Sequence, residues 1–170
     1  MNPPKPRGRA VHFYKPAALQ PQESVGYLMR RIVGSIQAAA DRELEPQGLT
    51  HAQWVPLYKL HLGHASTAAE LSTACELDAG AMTRTLDRLE SKGLVRRVRS
   101  GADRRVVNLE LTDEGRASAA AIPQALCAVL NDHLRGFTTE EWQLLKSLLA
   151  RMLENGQELL ASRDKETHEA

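Results

Sequence analysis

Five arginines fall within ten residues of this chain: Arg96, Arg97, Arg99, Arg104 and Arg105. Solvation alone would be served by mixed Lys and Glu. Guanidinium groups at this density suit a narrow DNA minor groove, where the potential is most negative. Asp103 beside them would hold one arginine in a fixed pose and leave another free to insert. Upstream, Ala79, Gly80 and Ala81 are small enough to let a helix backbone approach a major-groove floor. Thr83 could then touch a thymine methyl and Arg84 could pair with a guanine edge. Arg88, one turn on, is placed for a phosphate or an intramolecular acid. Taken alone, that helix face is as consistent with plain solvation as with DNA. The arginine cluster behind it tips the balance. Enzyme chemistry has no comparable claim: GxGxxG, GxxxxGK, HExxH and GxSxG are all missing from the sequence, and Asp132-His133 has no nucleophile at an informative spacing. The chain is therefore read as a non-enzyme.

Periodicity supplies the elements that would carry these residues. Val25, Leu28, Met29, Ile32, Val33 and Ile36 recur at helical spacing, so a helix with one apolar stripe is expected from about Ser24 to Glu45, stopped by Pro46 and Gly48. Thr50 with Gln53 opens a second helix, along which Pro56 should weaken or bend the backbone. Thr67 with Glu70 opens a short third helix. Asp78 caps a fourth, in which Met82, Leu86 and Leu89 face inward and after which Gly93 stops the chain. Two short helices joined by a tight link make a helix-turn-helix candidate. The period then changes to two: Leu94–Arg99 and Val106–Leu111 read as a hairpin whose turn, residues 100–104, is basic. Thr112 caps a long fifth helix to about Arg135, with a kink expected at Pro123. Thr138 with Glu141 opens a sixth, lined by Leu145, Leu149, Met152, Leu153, Leu159 and Leu160.

The fold class expected is mainly α with a small β-hairpin wing. A winged helix-turn-helix spans 50–111, between long dimerisation helices at 23–49 and 112–163. Residues 1–22 read as an extended basic arm and 164–170 as a polar tail. A winged helix of about 65 residues has no need of the long terminal helices, so their stripes are expected to bury across a two-fold axis. Two wings and two recognition helices would then face a palindromic double-stranded DNA.

Composition narrows the alternatives. The 170 residues carry a net charge of +1, which by itself argues against a nucleic-acid partner. The distribution argues the opposite. Residues 1–31 hold six bases and one acid, and 84–105 hold eight bases and three acids. Segments 32–83 and 106–170 are acidic, with two bases against six acids and six bases against eleven. Local charge governs the field near the surface. Cys75 and Cys127 lie far apart with no CxxC, so neither a disulfide framework nor a zinc ribbon is expected, and reduced thiols in a cytoplasm follow. No apolar run approaches the roughly 18 residues of a membrane span, and 1–22 lacks the apolar stretch of a secretion signal. Aromatics at 4% argue against stacking on single strands.

Thr67-Ala-Ala-Glu-Leu71, the run from Ala81 to Val95, Asp103-Arg-Arg105 and Leu111-Thr-Asp-Glu-Gly115 together resemble the multiple antibiotic resistance regulator (MarR) family. The resemblance follows element order over 24–160 and is most specific over 67–115. It implies a homodimeric winged-helix transcriptional regulator, usually a repressor, that leaves DNA when a small molecule binds. By motif position it implies 81–88 as recognition helix, Asp103 as the acid orienting the wing, and Arg105 as the minor-groove arginine. It also implies an effector, often an aromatic acid or phenol, between the dimerisation helices and the DNA-binding lobe. Candidates there are Tyr27, Arg31, His51 and Trp54, an arginine pairing a carboxylate while aromatics cover a ring. Each has an ordinary alternative: Trp54 as core, His51 as a helix-start residue, Arg31 as a surface base. A metal-responsive regulator would need a third ligand beside His61 and His64, and Glu70 or Cys75 would have to supply it. Neither a cofactor nor a metal is expected. An architectural DNA-binding protein without effector control is the other alternative.

Overall fold

Side chains at fixed offsets start the helices. In the computed structural model, which describes residues 12–99 and 106–168 with side chains as far as Ser162, Ser24 Oγ accepts the backbone N–H of Tyr27 at 3.2 Å and opens α1 (Val25–Leu44). A 3-10 turn at Glu45–Gln47 and a left-handed Gly48 (φ +66°) reverse the chain. Gln53 Oε1 accepts from the Thr50 N–H at 3.4 Å at the start of α2 (His51–His61). The reciprocal pair of Thr67 and Glu70 opens α3 (Ala68–Cys75), and Asp78 opens α4 (Ala79–Ser91). Strands β1 (Val95–Arg99) and β2 (Val107–Leu111) pair antiparallel, with Arg96 opposite Glu110 and Arg97 opposite Leu109. They are followed by α5 (Asp113–His133) and α6 (Thr139–His168).

Three expected features take definite form. Pro56, expected to weaken or bend α2, lies inside a helix that runs through it, with the ring fully buried; the apolar packing of that ring accompanies the lost N–H. Pro123 likewise lies within a continuous α5, and the chain divides there into two compact units, Met1–Ile122 and Pro123–Ala170. The tail assigned to 164–170 is helical as far as His168. The arm also gains local structure. Within 12–22 it forms 3-10 turns at Pro16–Ala18 and Pro21–Glu23, each opened by a proline whose fixed φ suits the first position. Tyr14 Oη accepts the Val25 N–H at 3.0 Å. Residues 1–11 of the arm lie outside the described residues.

The core of the first unit is built from one end of α1 (Ala40, Leu44) and from Leu57 of α2, Leu71 of α3, and Met82, Leu86 and Leu89 of α4, together with Val95, Leu109, Ala119 and Ile122. Burying an aliphatic side chain of this size contributes about 1.5–3 kcal/mol. The other end of α1 behaves differently, since Val25, Leu28, Ile32 and Val33 stay exposed. In the second unit the stripe of α6, including Leu148, Leu149, Met152 and Leu153, is exposed too.

The hairpin is not left to stand on two strands. Leu109 N–H donates to Ser66 O at 2.7 Å, so the residues before α3 add a third edge to it. At its base, Thr112 Oγ1 donates to Gly93 O at 2.6 Å and accepts from Gly115 N–H at 2.9 Å, while Thr112 N–H donates to Leu94 O. The start of α5 is thereby held against the end of α4. A Cβ on Gly115 would come within 1.9 Å of Leu94 O, so this approach requires glycine.

Candidate nucleic-acid interface

The turn into α4 is set by two residues. Glu76 takes the left-handed conformation at φ +54° and ends α3. Asp78 Oδ1 then accepts from Ala81 N–H at 2.8 Å. That bond, joined by others from the backbone and by the nearby charge of Arg84, holds the Asp78 carboxyl below its ordinary range. An acid at a helix N-terminus also opposes the helix dipole.

The sequence of α4 divides it cleanly. Met82, Thr85, Leu86 and Leu89 are buried, whereas Ala79, Gly80, Thr83, Arg84, Asp87 and Arg88 are exposed, with Ala81 between. Thr83 Oγ1 donates to Ala79 O at 2.8 Å, which commits its hydroxyl proton and leaves a methyl group for contact. Neither Arg84 nor Arg88 enters an ion pair among the described residues. The six recognition-helix candidates thus share one short helix, five of them exposed to solvent.

The wing arginines separate into two groups. Arg96 Nη2 lies 2.6 Å from Glu110 Oε2, its cross-strand partner, and Nε donates to the same oxygen at 3.0 Å. Arg97 turns to the recognition helix: Nη2 lies 2.7 Å from Asp87 Oδ1, Nη1 pairs with Glu90, and its backbone N–H donates to Glu90 Oε1 at 3.2 Å. Bonding to Asp87, then to Glu90, raises its affinity for the proton further. Arg99, at the end of β1 opposite Val107, is exposed and has no partner among the described residues. Asp103, Arg104 and Arg105 lie outside the described residues. The pairing of an acid with a wing arginine, expected of Asp103, is seen at Asp87, Glu90 and Glu110. Sequence reasoning assigns none of these three a role in holding the wing. Asp87 and Glu90 share a helix face at i, i+3, and the hairpin register places Glu110 opposite Arg96, so a signal existed for each. Lys92 was also missed. Its ammonium donates to Gly48 O and, at 2.9 Å, to the buried Gln53 Oε1, tying the end of α4 to the α1–α2 turn.

The four effector candidates stand as two pairs. Arg31 Nη1 donates to Tyr27 Oη at 3.3 Å on exposed α1, its guanidinium 6.0 Å from the ring centroid. His51 and Trp54 meet edge to face at 5.1 Å. No hydrogen bond or ring contact joins one pair to the other among the described residues. Trp54 is a core residue, 8% exposed, with its indole N–H donated to Asp41 Oδ1 at 3.2 Å. His51 Nε2 lies 3.3 Å from Gln37 Nε2, and its Nδ1 is buried with no partner. His61 stacks on Tyr58 at 6.3 Å. Among the described residues no group of three His, Cys, Asp or Glu side chains could hold a metal. Cys75 is half-buried, which pushes its thiol up and away from reactivity, against a smaller opposing effect of Lys59. Among the described residues no helix is long and apolar enough to cross a membrane.

Comparison with known proteins follows the same geometry. The MarR family model matches residues 49–107. The reduced form of MarR from E. coli is 30% identical over 76% of this chain and 96% of its own, with a TM-score of 0.70. A cysteine-to-serine mutant of that protein complexed with operator DNA matches at 30% identity, 75% and 92% coverage and a TM-score of 0.68. A probable transcriptional regulator from Pseudomonas aeruginosa is 25% identical over 77% and 98%, again with a TM-score of 0.68.

Proposed function

This chain belongs to the MarR family of winged-helix DNA-binding transcriptional regulators, and on that premise we propose that it is a cytoplasmic homodimeric repressor which reads a palindromic operator and releases it when a small molecule binds. The observation that carries the DNA reading is the open face of α4. Arg84 and Arg88 stand exposed and unpaired among the described residues, while the neighbouring wing arginines Arg96 and Arg97 are engaged by acids. Two cations outside any ion pair, on a face that also carries small residues, a threonine and an Asp87 engaged by Arg97, suit base edges and phosphates. The structure of a relative bearing operator DNA supports the same use here. Dimerisation is supported by the exposed stripes of α1 and α6, whose apolar side chains a lone subunit leaves in water.

Tyr27 with Arg31 offers a guanidinium beside an aromatic ring, and His51 offers a buried nitrogen with no partner. Both fit an aromatic carboxylate or phenol. The direct test is a mobility shift with duplex from the gene's own upstream region, followed by titration of benzoate-type acids. Binding that falls as salt rises, lost on adding such an acid, is the expected result. A protein that ignores the duplex at low salt would sink the regulator reading. One that binds but never responds to small molecules would be an architectural protein instead.

A further inference from the structure

Arg97 belongs to the arginine cluster of the wing, yet its guanidinium is held by two carboxylates of α4. Nη2 reaches Asp87 at 2.7 Å, Nη1 reaches Glu90, and the Arg97 backbone N–H is held by the second oxygen of Glu90. Three bonds thus join the first strand of the wing to the recognition helix. Asp87 and Glu90 sit three residues apart, so both lie on one side of α4 and grip a single planar fork from two directions. Resting on the DNA-binding reading above, we propose that Arg97 is a positioning residue which locks the wing to the recognition helix, so that the parts reading the two grooves dock as one rigid unit.

The strand geometry gives this lock a purpose. Residues two apart on β1 share a face, so Arg97 and Arg99 follow the buried Val95 along one side of the strand. With Arg97 fixed against α4, Arg99 is the first cation of the wing with no partner among the described residues. A wing free to pivot would have to be ordered at the moment of binding, and that ordering subtracts from affinity. A locked wing has already lost that freedom. The clasp also carries two negative charges against one positive, so Arg97 has little net attraction to offer a phosphate. Its role is geometric.

The test uses the full-length protein and a duplex that the wild type selects from a random pool. Arg97→Gln and the double variant Asp87→Asn/Glu90→Gln should each weaken binding about tenfold. The triple variant should be no weaker than either, because all three changes remove one device. The slope of log affinity against log salt should stay as in the wild type. Hydroxyl-radical protection should fade at the flanks where the wings lie, while protection of guanine N7 in the major groove persists. Arg97→Lys keeps the charge and stem but cannot span both acids, and should show the same loss at the flanks if Arg97→Gln fails to fold. Three results would overturn the proposal. If Arg97→Gln reduces the salt slope by about one and freeing Arg97 from its acids strengthens binding, Arg97 is a phosphate contact. If both protections fall together with a lower melting temperature, it is an ordinary brace. If the wild type selects no duplex, the DNA-binding reading falls and takes the lock with it.

Discussion

A Cβ on Gly115 would stand 1.9 Å from the Leu94 carbonyl oxygen and 2.8 Å from its carbon, and both are backbone atoms that cannot rotate aside. Gly115→Ala should therefore push the start of α5 away from the base of the wing, at a cost of about 2–3 kcal/mol in urea denaturation. Gly156, on α6, has nothing within 4 Å of such a carbon, and Gly156→Ala should gain about 0.5–1 kcal/mol from helix propensity alone. Equal behaviour of the two variants would contradict the close approach. Function at this scale turns on Arg84. Its exposure on α4 and its lack of an ion pair among the described residues make it the candidate for a base edge, so Arg84→Ala should weaken binding and also relax preference at one position of each half-site. Arg105, which the family resemblance places in the minor groove, should on change to Ala weaken binding to all sequences alike. Selection from random duplexes before and after each substitution separates the two. Equal losses on every sequence for both would remove Arg84 from the reading role.

At the scale of elements, the helix starts carry a pH dependence. Hydrogen bonds from Ala81 N–H to Asp78, and from Ser66 to Glu70, hold both carboxyls below their ordinary range. A folded-state value lower than the unfolded one means stability that is fully present above the unfolded value, about pH 4, and lost as pH falls through the folded value. The urea midpoint should thus drop as pH falls below about 4, and Asp78→Asn, which keeps an acceptor without the titrating proton, should flatten part of that fall. An unchanged profile would mean that the cap does not titrate as its bonds require. These caps were readable in the sequence because they act over three residues. Thr67 with Glu70 and Thr138 with Glu141 needed no knowledge of anything distant, and the hairpin followed from its period of two. Asp87 and Glu90 as partners of Arg97 were not readable in the same way, because that pairing depends on how a strand docks on a helix. Pro56 shows the same limit of local rules. Pro56 loses a local bond, but its buried ring packs in the core, and no local rule counts that contact. Trp54 has the burial expected of a core residue, and its indole N–H meets Asp41 at a separation in sequence that no local pattern announces.

At the scale of the molecule, α1 and α6 each carry an exposed apolar stripe. Ile32 on α1 is 52% exposed and Leu153 on α6 is 64% exposed. In a protein that worked as a monomer, Ile32→Glu and Leu153→Glu would be surface changes worth no more than about 0.5 kcal/mol. In a two-fold dimer every substitution appears twice and places carboxylates in an apolar interface, where an unpaired charge is costly. Sedimentation should then show each variant shifted to half the wild-type mass, with its helical spectrum retained. Affinity for a palindromic duplex should fall by about a hundredfold or more, since each half-site loses the effective concentration supplied by its neighbour. Affinity for a single half-site should hardly change, because Arg84, Arg88 and the wing are untouched. Leu62→Glu, exposed at the end of α2, should alter neither mass nor binding. Variants that remain dimeric would place the interface elsewhere. The charge layout makes the comparison sharper. Fourteen of the 22 Lys and Arg lie in 1–31 and 84–105, and the segment bearing α6 is already acidic, so the Leu153→Glu carboxylate lies in sequence well away from the basic helix and wing that would meet the phosphates. A loss confined to the palindrome therefore reports broken symmetry rather than repulsion from DNA. That separation lets a chain with a net charge of only +1 bind a polyanion, because association depends on the field at the docking face more than on the total.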